Sequence, residues 1–265
     1  MKQLLKRVFY NKTFPVLKGN LKGLKLRIND LQKGSIFIQD HEPEKQESFL
    51  QILQPNDVFF DVGGNVGIHS YFVARNFPKV KIFTFEPLVG NANYIKETCQ
   101  KNNITSIELI ESAVGNMVGT ISFETSFNNS VGQISNSTTG LQVRITTLDT
   151  FVAAKGIDPD VIKIDIEGAE GDALKGAEKL IDRKKPVFII ELHSPDQDLL
   201  VAKLLLDKGY SIYRLNQKGH LDKDRLLLTI KDFTKSWPEP EGVWGDIIAI
   251  HSSRKNDYPK LKYPN

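Results

Sequence analysis

Hydrophobic and polar positions divide the chain into a short irregular lead and a long rhythmic remainder. In residues 16–39, Leu and Ile alternate with Gly and Lys (LKGNLKGLKLRI, then GSIFIQ), which predicts two short strands of an antiparallel hairpin. From His41 to Gln54, Phe49, Leu50, Ile52 and Leu53 fall on a helical stripe that Pro55-Asn56-Asp57 ends. This helix is expected to cover the edge of a ligand site, with His41 and Glu44 at its start either capping it or touching the ligand. From Val58 onward, apolar strands alternate with helical patterns: VFF, a helix through Tyr71–Ala74, Val80–Phe85, a helix over 91–102, and Ile107–Ile110. Residues 115–147 interrupt this with strands at Gly119–Phe123 and Leu141–Thr147 around the polar SFNNSVGQISNSTTG, a hairpin insertion. A helix capped by Asp149 follows. Then come a strand Val161–Ile166, a helix Glu170–Lys179, a strand Val187–Leu192, a leucine-rich helix to Gly209, and a strand Tyr210–Leu215. A polar stretch with Trp237 and Trp244, which either lines an acceptor pocket or packs at the domain edge, precedes a last strand, Asp246–His251, expected to run antiparallel.

Short apolar runs alternating with helices imply an α/β domain: a mostly parallel seven-stranded sheet with helices on both faces. Residues 1–54 are expected to be an N-terminal extension packed on a core spanning 55–252, and 253–265 a loosely ordered tail.

The stretch Asp57–Ser70, DVFFDVGGNVGIHS, runs from a strand through a glycine-rich turn into a helix. Such a turn presents backbone N–H groups at a helix N-terminus and lets a ligand approach closely. The dinucleotide fingerprint is not met, since Gly64 and Gly67 fit it but Val62 stands where its first glycine belongs. What remains is Asp61-x-Gly63-x-x-x-Gly67, followed by Glu86 at the end of the next strand, where a carboxylate can accept both ribose hydroxyls. Together these point to a ligand containing adenosine but no pyrophosphate. Ala113, past the third strand, leaves room for the adenine ring.

Charges interrupt two buried runs. Lys163, Asp165 and Glu167 alternate at the end of VIKIDIEGAE, and Glu191 and His193 do so in PVFIIELH. Ionisable groups at the carboxyl ends of parallel strands must be paired, hydrated or ligand-bound. Lys163 is expected to pair with a neighbouring carboxylate. Either a salt-bridge network or an acid/base cluster results; in the second case His193 has the natural pKa for a base, and Asp165 or Glu191 orients it or takes the proton. The same carboxylates and imidazole could hold a divalent metal, a reading left uncommitted.

DVGGNVG, TFEP, VIKIDIEGAEGDALKG and IIELH, in that order, resemble the FkbM-type methyltransferases, over roughly Glu44 to Gly209. Gly64 departs from the alanine usual in that family. The resemblance implies a Rossmann-like class I methyltransferase fold, S-adenosylmethionine as cofactor, and O-methylation of a hydroxyl on a sugar or small metabolite. On the reading of these residues, Gly63, Gly64, Asn65 and Gly67, with Asp61 ahead of them, are expected to hold the methionine end of the cofactor, Glu86 its ribose, and Ala113 to lie near its adenine, while Asp165, Glu191 and His193 are the candidates for activating the acceptor. An NAD(P)-type oxidoreductase and a non-catalytic adenosine-ligand binder are the alternatives.

Composition sets the remaining bounds. With 35 Lys and Arg against 32 Asp and Glu, the net +3 gives no ground to expect nucleic acid or membrane partners. MKQLLKRVFYNK is basic but lacks the apolar core of a signal peptide, and suggests a short packed helix. A single cysteine, Cys99, excludes an internal disulfide and fits a reducing, cytoplasmic setting. Acceptor identity and oligomeric state are not encoded in any motif.

Overall fold

The computed structural model describes residues 10–28, 34–37, 40–125, 132–135, 140–215, 228–234, 245–258 and 261. In chain order the elements are β1 (Thr13–Pro15), β2 (Lys25–Arg27), a 3-10 turn (Gly34–Phe37), α1 (Pro43–Ile52), β3 (Val58–Val62), α2 (Ile68–Asn76), β4 (Lys81–Phe85), α3 (Val89–Asn102) and β5 (Ile107–Ile110). There follow β6 (Ala113–Val114), β7 (Gly119–Thr125), β8 (Gly132–Ser135), β9 (Leu141–Thr146), α4 (Leu148–Lys155), β10 (Val161–Ile164), α5 (Glu170–Lys175), α6 (Glu178–Lys184), β11 (Val187–Leu192), α7 (Pro195–Asp207), β12 (Tyr210–Arg214) and β13 (Gly245–His251).

The main sheet has seven strands in the order β12-β13-β11-β10-β3-β4-β5. The five from β11 to β5 are parallel, while β13 runs antiparallel to both β11 and β12. Successive residues of one strand serve opposite cores: Phe59 and Ile189 pack with Phe49, Phe72 and Tyr94, whereas Phe60 and Ile190 pack with Phe151, Leu174 and Val201. Burial on both faces is why these strands read as unbroken apolar runs. Among the described residues, no helix is long and apolar enough to cross a membrane.

Several elements differ from expectation. The N-terminal hairpin is shorter and earlier, pairing Thr13–Pro15 with Lys25–Arg27, and GSIF forms a 3-10 turn that buries Ile36 and Phe37. The insertion gains a third strand, since β7 pairs with both β8 and β9 in a separate sheet of order β6-β9-β7-β8. The helix expected over 170–179 is two helices broken at Gly176, where a Cβ would lie 2.0 Å from the Gly115 carbonyl oxygen. Asp149 does not cap its own helix. Thr147 does, accepting the Thr150 N–H at 3.0 Å, while Asp149 caps α6 through the N–H groups of Lys179 and Leu180 at 3.0 and 2.8 Å. Ser252–Asp257 form a 3-10 helix, and Tyr258 and Leu261 are buried, where a loose tail was expected. Residues 1–9, Trp237 and Trp244 lie outside the described residues.

Candidate active site

From β3 the strand order runs outward to β4 on one side and β10 on the other. The crevice beyond the carboxyl ends at such a switch point is where open α/β sheets bind ligands.

The turn after β3 forms one wall. Gly63 and Gly64 donate their N–H groups to the Phe85 carbonyl at 3.1 and 2.9 Å, and Gly67 donates to the Gly64 carbonyl at 2.7 Å. The Asn65 N–H goes to Glu86 Oε2 at 2.8 Å. These four amides are therefore not the free donors expected from the sequence, because the turn folds back onto the end of β4. Close packing is what demands glycine: a Cβ on Gly63 (φ +81°) would stand 1.8 Å from the Asp165 carbonyl oxygen, and one on Gly64 2.2 Å from Thr84 Cγ2. The turn thus lays the end of β3 against the end of β10.

Asp61 is wholly buried beneath this turn. Ser70 Oγ donates to its Oδ2 at 2.6 Å, and Lys163 Nζ lies 3.2 Å from Oδ1 while donating to the Gly63 carbonyl at 2.8 Å. Asp61 therefore braces the turn from below rather than offering its carboxylate to a ligand. Lys163 has the carboxylate partners expected of it; burial lowers its pKa, but Asp61 and Asp165 more than offset this and raise it above the ordinary value.

Glu86 is only 4% exposed. Its Oε2 accepts the Asn65 N–H and its Oε1 the Leu88 N–H, each at 2.8 Å. Burial pushes its pKa up to about 7 against these hydrogen bonds. The Asn91 side chain is a third hydrogen-bond partner, and with about four acceptor sites on an ionised carboxylate Glu86 still has room for a ligand hydroxyl. Ala113 packs in a small cluster with Leu88, Phe123, Val143 and Ile145.

The opposite wall is the acid cluster. His193 Nδ1 is 3.0 Å from Glu170 Oε1, and Nε2 has Asp165 Oδ1 at 3.6 Å, Glu167 Oε2 at 3.7 Å and Glu191 Oε1 at 3.8 Å around it. Asp165, Glu191 and His193 do converge. Glu170, fully buried, also accepts the N–H groups of Ile166 and Gly168 at 3.3 and 3.0 Å, so one carboxylate fixes both the imidazole and the loop bearing Glu167. Burial opposes charge on His193, yet the hydrogen bond to Glu170 and the nearby Glu170, Asp165 and Glu167 charges raise its pKa to about 9. The expected near-neutral imidazole is thus an imidazolium in the free protein. Burial likewise opposes ionisation of Asp165, but Lys163 and Lys45 hold it down at about 2.

Sequence reasoning missed Lys45, Glu42, Glu170 and Asp246. Lys45 is fully buried on α1, and its ammonium lies 2.9 Å from Glu42 Oε2, 3.5 Å from Asp165 Oδ2 and 3.2 Å from Asp246 Oδ1, and is hydrogen-bonded to Glu191 Oε2. Burial would lower its pKa, but Asp165, Asp246, Glu42 and Glu191 raise it well above the ordinary value. The available signal was its place four and seven residues before Phe49 and Ile52, on the buried stripe. Glu42, at the N-cap of α1 without a side-chain capping bond, instead holds His41 Nε2 at 3.2 Å and His69 Nε2 at 2.8 Å.

Among the described residues, two sets have ligand atoms close enough for a metal ion, all within 4.8 Å of one another: Asp165, Glu167 and His193; and Glu42, Asp165 and Glu191. In the second, the Lys45 ammonium already stands against all three acids.

The Methyltransferase FkbM domain matches residues 61–212. Hexuronic acid methyltransferase AglP of Haloferax volcanii is 30% identical over 172 residues, covering 63% of this chain and 70% of the relative. 2-O-methyltransferase NoeI of Sinorhizobium fredii is 26% identical over 215 residues, covering 74% and 79%. The crystal structure of an FkbM methyltransferase from Methylobacillus flagellatus superposes with a TM-score of 0.50 at 19% identity, covering 77% of this chain and 48% of that one, a likeness of fold.

Proposed function

The chain belongs to the FkbM methyltransferase family, and from that premise we propose that it is an S-adenosylmethionine-dependent O-methyltransferase acting on a hydroxyl of a sugar-like molecule. Support for the acceptor class comes from AglP and NoeI, named for a hexuronic acid and for 2-O-methylation. The observation that carries the reading is the meeting of the glycine turn with the strand-end acids, where the Cβ position of Gly63 abuts the Asp165 carbonyl beside His193.

The residues present suit the cofactor. Glu86 offers a buried carboxylate for the ribose diol beside the turn from Gly63 to Gly67, and the surplus of carboxylates favours a cation. Bound there, S-adenosylmethionine supplies a methyl group on a positively charged sulfur. Asp165 and Glu191 orient the acceptor hydroxyl and hold His193 in place. A neutral His193 would take the hydroxyl proton at Nε2, and a cation held among these carboxylates would lower its pKa from about 9 toward that state. Positioning accounts for most of the rate, with the base adding about 10²–10⁴-fold. The chain's single cysteine, Cys99, permits no internal disulfide, and on that ground a cytoplasmic location is included in the proposal.

Incubation with methyl-labelled cofactor and a panel of neutral glycosides, amino sugars and uronic acids tests this. Label in an alkali-stable ether supports it. Label in a saponifiable ester moves the acceptor to a carboxylate, and no transfer to any member contradicts the reading.

A further inference from the structure

Two acids in the cluster each reach in two directions. Asp165 turns Oδ1 to His193 Nε2 at 3.6 Å and Oδ2 to Lys45 Nζ at 3.5 Å. Glu191 turns Oε1 to His193 Nε2 at 3.8 Å and gives Oε2 to Lys45 Nζ in a hydrogen bond. Lys45 thus holds the rear oxygen of both carboxylates whose front oxygens face the imidazole. Lys163 also lies 3.5 Å from Asp165 Oδ2, but it is Lys45 that meets Glu191 and Asp246 as well. A fully buried ammonium with four carboxylate partners has a fixed place, and it fixes theirs in turn.

We propose that Lys45 is a positioning residue of the methyl-transfer reaction, setting the orientation of Asp165 and Glu191 toward His193 and the acceptor hydroxyl. The inference rests on the function proposed above. It also means that the active site is completed from outside the matched domain, because Lys45 precedes residue 61 and its partner Asp246 follows residue 212. Helix α1, with Glu42 at its N-cap and Lys45 in its first turn, is then part of the catalytic apparatus and not merely a cover.

The test compares wild type with Lys45→Met, Lys45→Arg and the double variant Lys45→Met/Asp246→Asn, measuring kcat, KM for the acceptor, cofactor affinity by calorimetry, and melting temperature. A positional error of about 1 Å at a reacting group costs about 10²-fold, so Lys45→Met is expected to lose about 10²-fold in kcat with cofactor affinity within a few-fold of wild type. Lys45→Arg, which keeps the charge, should recover part of that loss. If Lys45→Met does not fold, the double variant, which removes one cation and one buried anion together, carries the same expectation. A kcat within twofold of wild type in either folded variant overturns the inference, as does a loss tracking cofactor affinity or melting temperature. Wild type that methylates while Lys45→Met does so equally well removes only this inference. Wild type that transfers no methyl removes the proposed function and this inference with it.

Discussion

Glu191 and Asp246 stand directly opposite each other across the antiparallel pair of β11 and β13. Like charges in that relationship repel, and here the Lys45 ammonium meets both, hydrogen-bonded to Glu191 and 3.2 Å from Asp246 Oδ1. Burial raises the Asp246 pKa to about 7, against the pull of Lys45 and with the push of Glu191. The cluster is therefore short of positive charge at neutral pH, the condition in which a cationic ligand gains most from entering it.

Asp246→Asn should change the pH dependence of stability in a defined direction. The folded-state pKa lies above the usual 3.8, so the contribution of the protonated acid is present at low pH and is lost as pH rises through about 7. The variant should therefore gain in melting temperature relative to wild type between about pH 4 and 7, as paired melting curves would record. A constant offset across that range would contradict the shift.

His193 loses its proton at a higher pH than a free imidazole does. Its pKa is raised from 6.5 to about 9, so its stabilising charge is complete below about 6.5 and disappears as pH rises through about 9. Ring signals in NMR should show this midpoint without ligand. Glu170→Gln should bring it down by about a unit or more, and an unmoved midpoint would remove Glu170 as its cause.

Gly64→Ala restores the alanine that the resembled family usually carries, yet here it should destabilise by about 1–3 kcal/mol, because the new methyl meets Thr84 Cγ2 at 2.2 Å. Adding Thr84→Ser removes that methyl and keeps the hydroxyl that bonds Ser70 Oγ at 2.6 Å. The double variant should then recover most of the loss in denaturant titrations. Additive losses would mean that the two side chains do not compete for space.

Cofactor affinity should follow the ionisation of Glu86. With its pKa at about 7, the carboxylate accepts ligand hydroxyls best above that value, so affinity is expected to weaken as pH falls through 7. Calorimetry at several pH values checks this, with Glu86→Ala expected to bind at least about tenfold more weakly, the equivalent of one lost charge-assisted hydrogen bond.

The parts legible in the sequence are those whose partners are local or periodic. Val58–Val62, Lys81–Phe85 and Val187–Leu192 stand out because both faces are buried, and Asp165, Glu191 and His193 because charges interrupt such runs. GSIF misleads because so short an apolar segment fits either period. Asp149 misleads because the helix it caps begins about thirty residues later. The pairing of Lys45 with Glu191 spans 146 residues, and no spacing rule within one element reaches that far. The imidazolium state of His193 depends on Glu170, Asp165 and Glu167 acting together, a sum that exists only in the folded chain.

The most direct measurement is a crystal structure of the complex with S-adenosylmethionine. The account predicts both ribose hydroxyls within hydrogen-bond distance of Glu86 and the methyl group directed toward the space bounded by Asp165, Glu191 and His193. A ribose bound away from Glu86, or a methyl pointing away from His193, would contradict it.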